Sequence, residues 1–266
     1  MTTFNPFFSI ITPFYNAEKY VLPYIKKLKL QTFTNWECIL IDDYSKDNGY
    51  KLIQEFIKND KRIKIYKNNL PKEIKGPYQA RNFGLNLAKG NYICFLDIDD
   101  SWKENMLEIK YRILKKTHKI DIIFTNIAKC NNGIQKGIIA PIKYIPIKSQ
   151  IRIHNPIWLS TSTVKRDLIL KHRFECINHE DFVFWAKLIR DKPHINLKHL
   201  NKVLGEYNIS KNSISSDKLL SLKWHYNCYL KLGYGKFYSI LCFFPLILLK
   251  LIVLMKQNLK YIRIII

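Results

Sequence analysis

Two short acidic runs, Asp42-Asp43-Tyr44-Ser45 and Asp97-Ile98-Asp99-Asp100, stand out in a chain that carries 44 Lys+Arg against 21 Asp+Glu. A lone Asp in such a place is usually a turn former or a helix cap. Carboxylates gathered at one edge repel one another, and burying them unpaired is costly, so two such runs ask for a cation among them. A hard divalent ion, Mg2+ or Mn2+, takes oxygen ligands and commonly binds through one or two carboxylates plus substrate phosphates, a donor set that Asp97 and Asp99 match. Asp100 is open to two uses, metal ligation or capping of a helix that starts near Trp102.

The elements that must position these residues are legible in the first half of the chain. Short β-branched runs at residues 8–12, 37–41, 63–67, 92–96 and 120–124 read as strands, and the stretches 18–29, 50–58, 78–89 and 103–116 carry apolar residues at helical spacing. Strands alternating with helices predict a doubly wound α/β domain with a mostly parallel central sheet and flanking helices. Ligands bind such sheets beyond the carboxyl ends of the strands, and the acidic runs follow the second and fourth strands. Periodicity is lost over residues 133–155, which read as a loop or irregular insertion. Beyond it the pattern predicts a strand over 161–164, helices over 166–172 and 181–189, and a strand over 203–207.

Several function classes are excluded or weakened by what is missing. No GxGxxG follows the first strand and no GxxxxGK[ST] occurs, so phosphate charge must be met by metal and basic side chains. The run His179-Glu180-Asp181-Phe182-Val183 is not a zinc-protease motif, because Val183 stands where the second His would be. The net charge of +23 calls for an anionic partner, but its basic residues are spread out and no nucleic-acid reading motif accompanies them, so the partner expected is not a nucleic acid. The six cysteines form no CxxC pair and read as buried thiols.

Four blocks in order give the chain a specific resemblance. Ser9-Ile10-Ile11-Thr12-Pro13-Phe14-Tyr15-Asn16 comes first, then Gln31-Thr32-Phe33 with Ile41-Asp42-Asp43-Tyr44-Ser45-Lys46-Asp47. Ala80-Arg81-Asn82-Phe83-Gly84 leads into the Gly90 to Asp100 run, and His179-Glu180-Asp181 with Trp185 closes the series. Together they resemble the inverting glycosyltransferases of family 2, which have the GT-A fold and include enzymes of bacterial O-antigen, lipooligosaccharide and capsule synthesis. The likeness covers residues 8–190 and does not extend past Tyr207.

That resemblance implies roles residue by residue. Pro13 and Tyr15 would line the base pocket, and Asp43 would accept a hydrogen bond from the uracil of a UDP-sugar. Asp97 would sit by the ribose or the metal, and Asp99 would ligate the Mn2+ or Mg2+ that bridges the diphosphate. Arg81 would orient either the Asp cluster or the diphosphate. Asp181 would be the base that takes the acceptor's proton, with its neighbour Glu180 as the rival. A helix starting there would set Phe182, Trp185 and Ile189 on one face, with Asp181 looking elsewhere. The implied reaction moves a hexose, as glucose, galactose or an N-acetyl form, with inversion, onto a lipid-linked glycan carried by polyisoprenyl diphosphate or lipooligosaccharide. A nucleotidyltransferase also places carboxylates at strand ends, but Thr12-Pro13-Phe14-Tyr15-Asn16 lacks the Gly-rich basic loop it needs. A non-catalytic membrane-surface scaffold of the same fold is the other alternative.

The last part of the chain is of another kind. No acidic residue follows Asp217, and residues 237–255 are apolar except for Ser239 and Lys250. Pro245 and Lys250 argue against a simple membrane span, whereas Lys256, Lys260 and Arg263 would attract an anionic membrane surface. The division expected is a GT-A domain over residues 1–210 and a basic, apolar, membrane-associating helical tail over 211–266. The start of the chain lacks the features of a signal peptide, so the expected location is the cytoplasmic side of the inner membrane, peripheral or monotopic.

Overall fold

The computed structural model describes residues 5–68, 75–131, 133–209 and 218–244. The first strands run β1 (Phe8–Phe14), β2 (Trp36–Asp42), β3 (Ile63–Lys67) and β4 (Tyr92–Phe95), separated by α1 (Glu18–Lys29), α2 (Gly49–Ile57) and α3 (Pro77–Leu87). There follow β5 (Ser101–Trp102), α4 (Met106–Lys116), β6 (Ile122–Asn131), β7 (Ile134–Ile139), α5 (Ile147–Gln150), β8 (Thr163–Lys165) and α6 (Arg166–Ile169). The chain ends its described part with α7 (Glu180–Asp191), β9 (Leu197–Asn208), α8 (Lys218–Lys231) and α9 (Lys236–Leu241). The strands form one sheet in the order β3-β2-β1-β4-β8-β6-β9-β5, with β7 paired to β6.

β1 to β4 are mutually parallel, and because β8 is antiparallel to both β4 and β6, β6 and its parallel partner β9 point the same way as β1. The carboxyl ends of β1, β2, β3, β4, β6 and β9 therefore meet at one edge. The central strands are buried on both faces, as parallel strands under crossover helices must be. Successive residues alternate between two cores. Ile39, Ile41, Ile93 and Phe95 face α3 and α7, while Cys38, Leu40, Tyr92 and Cys94 face α1, α2 and α4. Each such side chain removed from water stabilises the fold by about 1.5–3 kcal/mol.

α3 lies against the sheet through Gly84, where an added Cβ would come within 2.6 Å of Ile11 Cγ2 and 2.9 Å of Ile41 Cδ1. This close approach brings the residue one turn earlier, Arg81, over the sheet edge. On α8, Cys228 and Tyr229 are fully buried and join the same core as α3 and α7. Of the six cysteines, Cys176 alone is exposed.

Some boundaries differ from those the sequence predicts. The stretch read as irregular contains β7 and α5. β7 pairs with β6 through backbone hydrogen bonds but leaves its side chains largely exposed, so it carries no burial pattern to read. No helix starts at Trp102, which lies in β5 with its indole donating to Ser160 O (2.6 Å), and α4 begins at Met106. The last predicted strand is the terminal part of the much longer β9. The apolar run over 237–255 lies within the described residues only as far as Phe244, and Lys250, Lys256, Lys260 and Arg263 lie outside them. Among the described residues no helix is long and apolar enough to cross a membrane.

Candidate active site

Beyond the ends of β1 and β2 the loops are stapled to each other. Asn16 N–H donates to Ser45 Oγ (3.0 Å) and Lys46 N–H to Asn16 Oδ1 (2.8 Å), while Glu18 N–H donates to Asp47 Oδ2 (2.8 Å). Asp42 Oδ1 closes a turn by accepting from Ser45 N–H (3.0 Å). Asp43, 6% exposed, accepts from Asn68 Nδ2 (2.9 Å), a residue just past the end of β3. Pro13 is buried within β1, and Tyr15 stands half exposed at its end, beside a cleft shared with Tyr44, Ser45, Lys46 and Lys75. Asn16 and Tyr44 both take left-handed backbone, with φ of 47° and 66°, strain of the kind that loops at functional sites carry.

After β4 the chain turns through Asp97–Asp100, closed by Asp100 N–H to Asp97 O (3.0 Å). Arg81 reaches across this turn. Its Nη2 donates to Asp97 Oδ1 (2.6 Å) and its Nη1 to Glu180 Oε1 (2.5 Å), tying the end of β4 to the start of α7. Burial opposes the charge on Arg81, but Asp97 and Glu180 outweigh it and push its pKa up. These contacts place Arg81 against the acidic cluster. Asp99 makes no ion pair among the described residues, and burial together with the Asp97 charge raises its pKa to about 6.

Asp100 does not cap a helix. It is 4% exposed, its Oδ2 accepts from Ser160 Oγ (2.5 Å), and its pKa is raised by burial and then by Asp97 and Asp99. The segment carrying Ser160 is held from below by Lys110, whose buried ammonium donates to Thr161 O (2.8 Å) and Thr163 Oγ1 (2.9 Å). Asn208, at the end of β9, donates from its amide to Asp99 O (2.6 Å).

His179 precedes α7 in left-handed backbone (φ 58°), and Glu180 and Asp181 form the helix's first turn. Asp181 Oδ2 accepts from Asn155 Nδ2 (2.7 Å) and Oδ1 from Phe182 N–H (2.9 Å). Burial raises the Asp181 pKa to about 7, with Glu180 adding to the shift and Arg81 opposing it. Phe182, Trp185 and Ile189 are buried on the other face, as helical spacing predicts. One cleft is lined by Arg81, Asp97, Asp100, Glu180 and Asp181, with Trp158 and Tyr207 as an aromatic wall whose ring centroids are 5.3 Å apart.

The fold thus brings Asp97, Asp99, Asp100, Glu180, Asp181 and Arg81 together, with Asp43 and Tyr15 along the same sheet edge. Asn68, Asn155, Trp158, Ser160, Tyr207 and Asn208 were not singled out from the sequence. Asn68, Tyr207 and Asn208 lie at or just past strand ends, where the same rule that exposed the Asp runs would have found them. Asn155, Trp158 and Ser160 belong to a stretch without periodicity, where only the tertiary contact reveals them.

A sheet of this topology with its acidic edge is of the GT-A type. The chain belongs to glycosyl transferase family 2, whose model matches residues 9–167. An uncharacterized glycosyltransferase of Haemophilus influenzae is 34% identical over 85% of this chain and 88% of its own length. The UDP-Glc:alpha-D-GlcNAc-diphosphoundecaprenol beta-1,3-glucosyltransferase WfgD of Escherichia coli is 33% identical over 81% of this chain and 82% of its own. The crystal structure of S. aureus TarS 1-349 in complex with UDP-GlcNAc superposes with a TM-score of 0.66 at 19% identity, covering 87% of this chain and 69% of that one, and shares the fold. Family membership removes the nucleotidyltransferase alternative.

Proposed function

We propose that this glycosyltransferase moves a hexose from a UDP-sugar to a hydroxyl of a lipid-linked glycan in bacterial surface polysaccharide synthesis, with inversion and with a divalent metal. The observation that carries the reading is the Arg81 clamp, which joins the acidic turn after β4 to the Asp181 corner of α7 in one cleft. The relative WfgD supports the choice of a UDP-hexose and of a sugar attached to a lipid diphosphate.

Asp43, oriented by Asn68, receives the uracil N–H, with Pro13 and Tyr15 lining the base pocket. The metal's donor set is oxygen only, and Asp99 fits it: a carboxylate crowded by Asp97 and without an ion-pair partner among the described residues gains most from a cation. Asp97 would add an oxygen from its Arg81-bound carboxylate. Among the described residues no group of three His, Cys, Asp or Glu side chains could hold a metal ion by itself, so an ion at Asp99 would need substrate phosphates to complete its ligands. When bound there, Mg2+ or Mn2+ offsets the charge developing on the departing diphosphate.

Both rivals for base line the cleft, and the reading takes Asp181 on its contacts. Glu180 is held in its ion pair with Arg81, whereas the Asp181 carboxylate is fixed by Asn155 and Phe182 N–H. The acceptor hydroxyl gives its proton to Asp181 as its oxygen bonds to the anomeric carbon and the bond from that carbon to the UDP oxygen breaks. A base with a pKa near 7 is matched to this task and contributes about 10²–10⁴-fold. Trp158 and Tyr207 offer the apolar face that a pyranose acceptor needs. The enzyme works at the cytoplasmic face of the inner membrane, where such an acceptor resides.

The decisive experiment measures UDP release from a panel of UDP-sugars with manganese and a synthetic lipid-diphosphate sugar acceptor. Turnover with one donor, lost on chelation and in Asp99→Ala and Asp181→Asn, is the expected result. No turnover with any donor, together with no metal-dependent UDP binding by calorimetry, would sink the reading in favour of a non-catalytic scaffold.

A further inference from the structure

α9 is built the wrong way round for a helix that faces water. Ser239 points inward at 0% exposure, while Phe237 (76%), Tyr238 (54%), Ile240 (53%) and Leu241 (41%) point outward; just past the helix Cys242 is buried (6%) and Phe244 exposed (65%). The Ser239 hydroxyl is satisfied locally by Gly235 O (3.0 Å). An outward apolar face of this kind marks an interaction surface.

Continuous with that face is a cleft between α5, the C-terminal part of α7 and the α8–α9 turn. Ile151, Ile189 and Leu232 form its floor, and Lys148, Arg152 and Arg190 its rim. Tyr234 joins the two surfaces, lining the cleft and meeting Tyr238 of α9 edge-on at 5.1 Å. Among the described residues no acidic residue lines the cleft. Lys148 Nζ and Arg190 Nη1 donate to the neutral carbonyls of Pro193 (2.5 Å) and Leu232 (3.0 Å), and Asp191, 3.5 Å from Arg190 Nε, is the one carboxylate ion-paired to the rim among the described residues.

We propose that this cleft and α9 dock the enzyme on an anionic phospholipid bilayer, with headgroup phosphates between Lys148, Arg152 and Arg190 and the α9 side chains among the acyl chains. Cations around an apolar floor, beside an outward apolar helix, match a phosphate attached to hydrocarbon. A second copy of this chain is a poorer occupant, since the same cationic rim would face itself. Arg190 lies nine positions after Asp181 in α7, about 13.5 Å of helix, so the surface is distinct from the acceptor-sugar cleft yet holds it close to the membrane. The inference deepens the proposed function, resting on the lipid-linked acceptor for its purpose but not for its geometry.

The test sediments the full chain with phosphatidylcholine vesicles, with and without phosphatidylglycerol, and measures transfer to a water-soluble short-chain acceptor in parallel. Binding is expected only with phosphatidylglycerol, and it should weaken as salt is added. Arg152→Glu should lower it about 25-fold, two charge units at about five-fold each. Phe237→Ser should also lower it, and both variants should keep wild-type turnover of the soluble acceptor. Vesicle binding unchanged in both variants would overturn the proposal. So would a dimer in sedimentation velocity that Phe237→Ser dissociates, since the face would then be a contact between copies. Intact, phosphatidylglycerol-dependent binding without any transfer would leave the docking surface standing and remove the catalytic reading instead.

Discussion

Arg81 keeps a buried guanidinium charged because Asp97 and Glu180 lie 2.6 and 2.5 Å from its two terminal nitrogens. Removing it leaves two carboxylates facing each other beside Asp181, and breaking a pair of this kind costs about 3–5 kcal/mol. Arg81→Met should therefore lower the denaturant midpoint and abolish transfer, and Arg81→Lys should recover little of either, because an ammonium cannot bridge two carboxylates as a planar fork does. For Asp181 the sign of the pH effect follows from its position. Its folded pKa of about 7 lies above the unfolded value of about 3.9, so the folded state binds the proton more tightly and loses stability as pH rises between the two. Transfer needs the ionised form, so kcat/KM should climb with pH and level off above about 7. Asp181→Asn removes this ionisation together with turnover, and its melting temperature at pH 8 should match or exceed wild type. Asn155→Ala should cut kcat about tenfold or more with little change in KM for the donor, since Asn155 aims the proposed base Asp181, and it should cost a little stability because its Oδ1 also accepts from Ile157 N–H (3.0 Å).

At the scale of elements, Gly84 sets how closely α3 approaches the sheet. Gly84→Val should push the helix away from Ile11 and Ile41, costing about 1–3 kcal/mol, and should lower turnover further than stability because Arg81 rides on the same helix. Calorimetry and steady-state kinetics on the one variant separate the two effects. The parallel strands and their helices were legible because each strand is a continuous apolar run and each helix shows a stripe. The acidic turns were legible because Asp after a strand stands out in so basic a chain. β7 was not, because a hairpin strand held by its backbone and exposed on its sides needs no pattern. The short β5 was hidden by Trp102, whose burial follows from contact with Ser160, 58 residues away. Asn155 and Trp158 were illegible for the same reason: residues 151–158 form neither helix nor strand, and their positions are set by α7 and α8 packing around them.

The whole molecule is knitted from segments far apart in sequence. Tyr229 of α8 is fully buried and donates to Ile153 O, so α8 is part of the core that supports the Asp181 corner. A chain ending at residue 209 should accordingly be recovered as aggregate, and the full chain should melt in a single calorimetric transition over its described core. Cys176 also acquires a use at this scale. It is the one exposed thiol on the described surface, and it adjoins Tyr78 in the first turn of α3, the helix that carries Arg81. A maleimide dye would therefore label the native enzyme at one place without any engineered cysteine. The enzyme thus brings its own attachment point for following, by fluorescence, how the α3 end of the cleft responds as donor arrives.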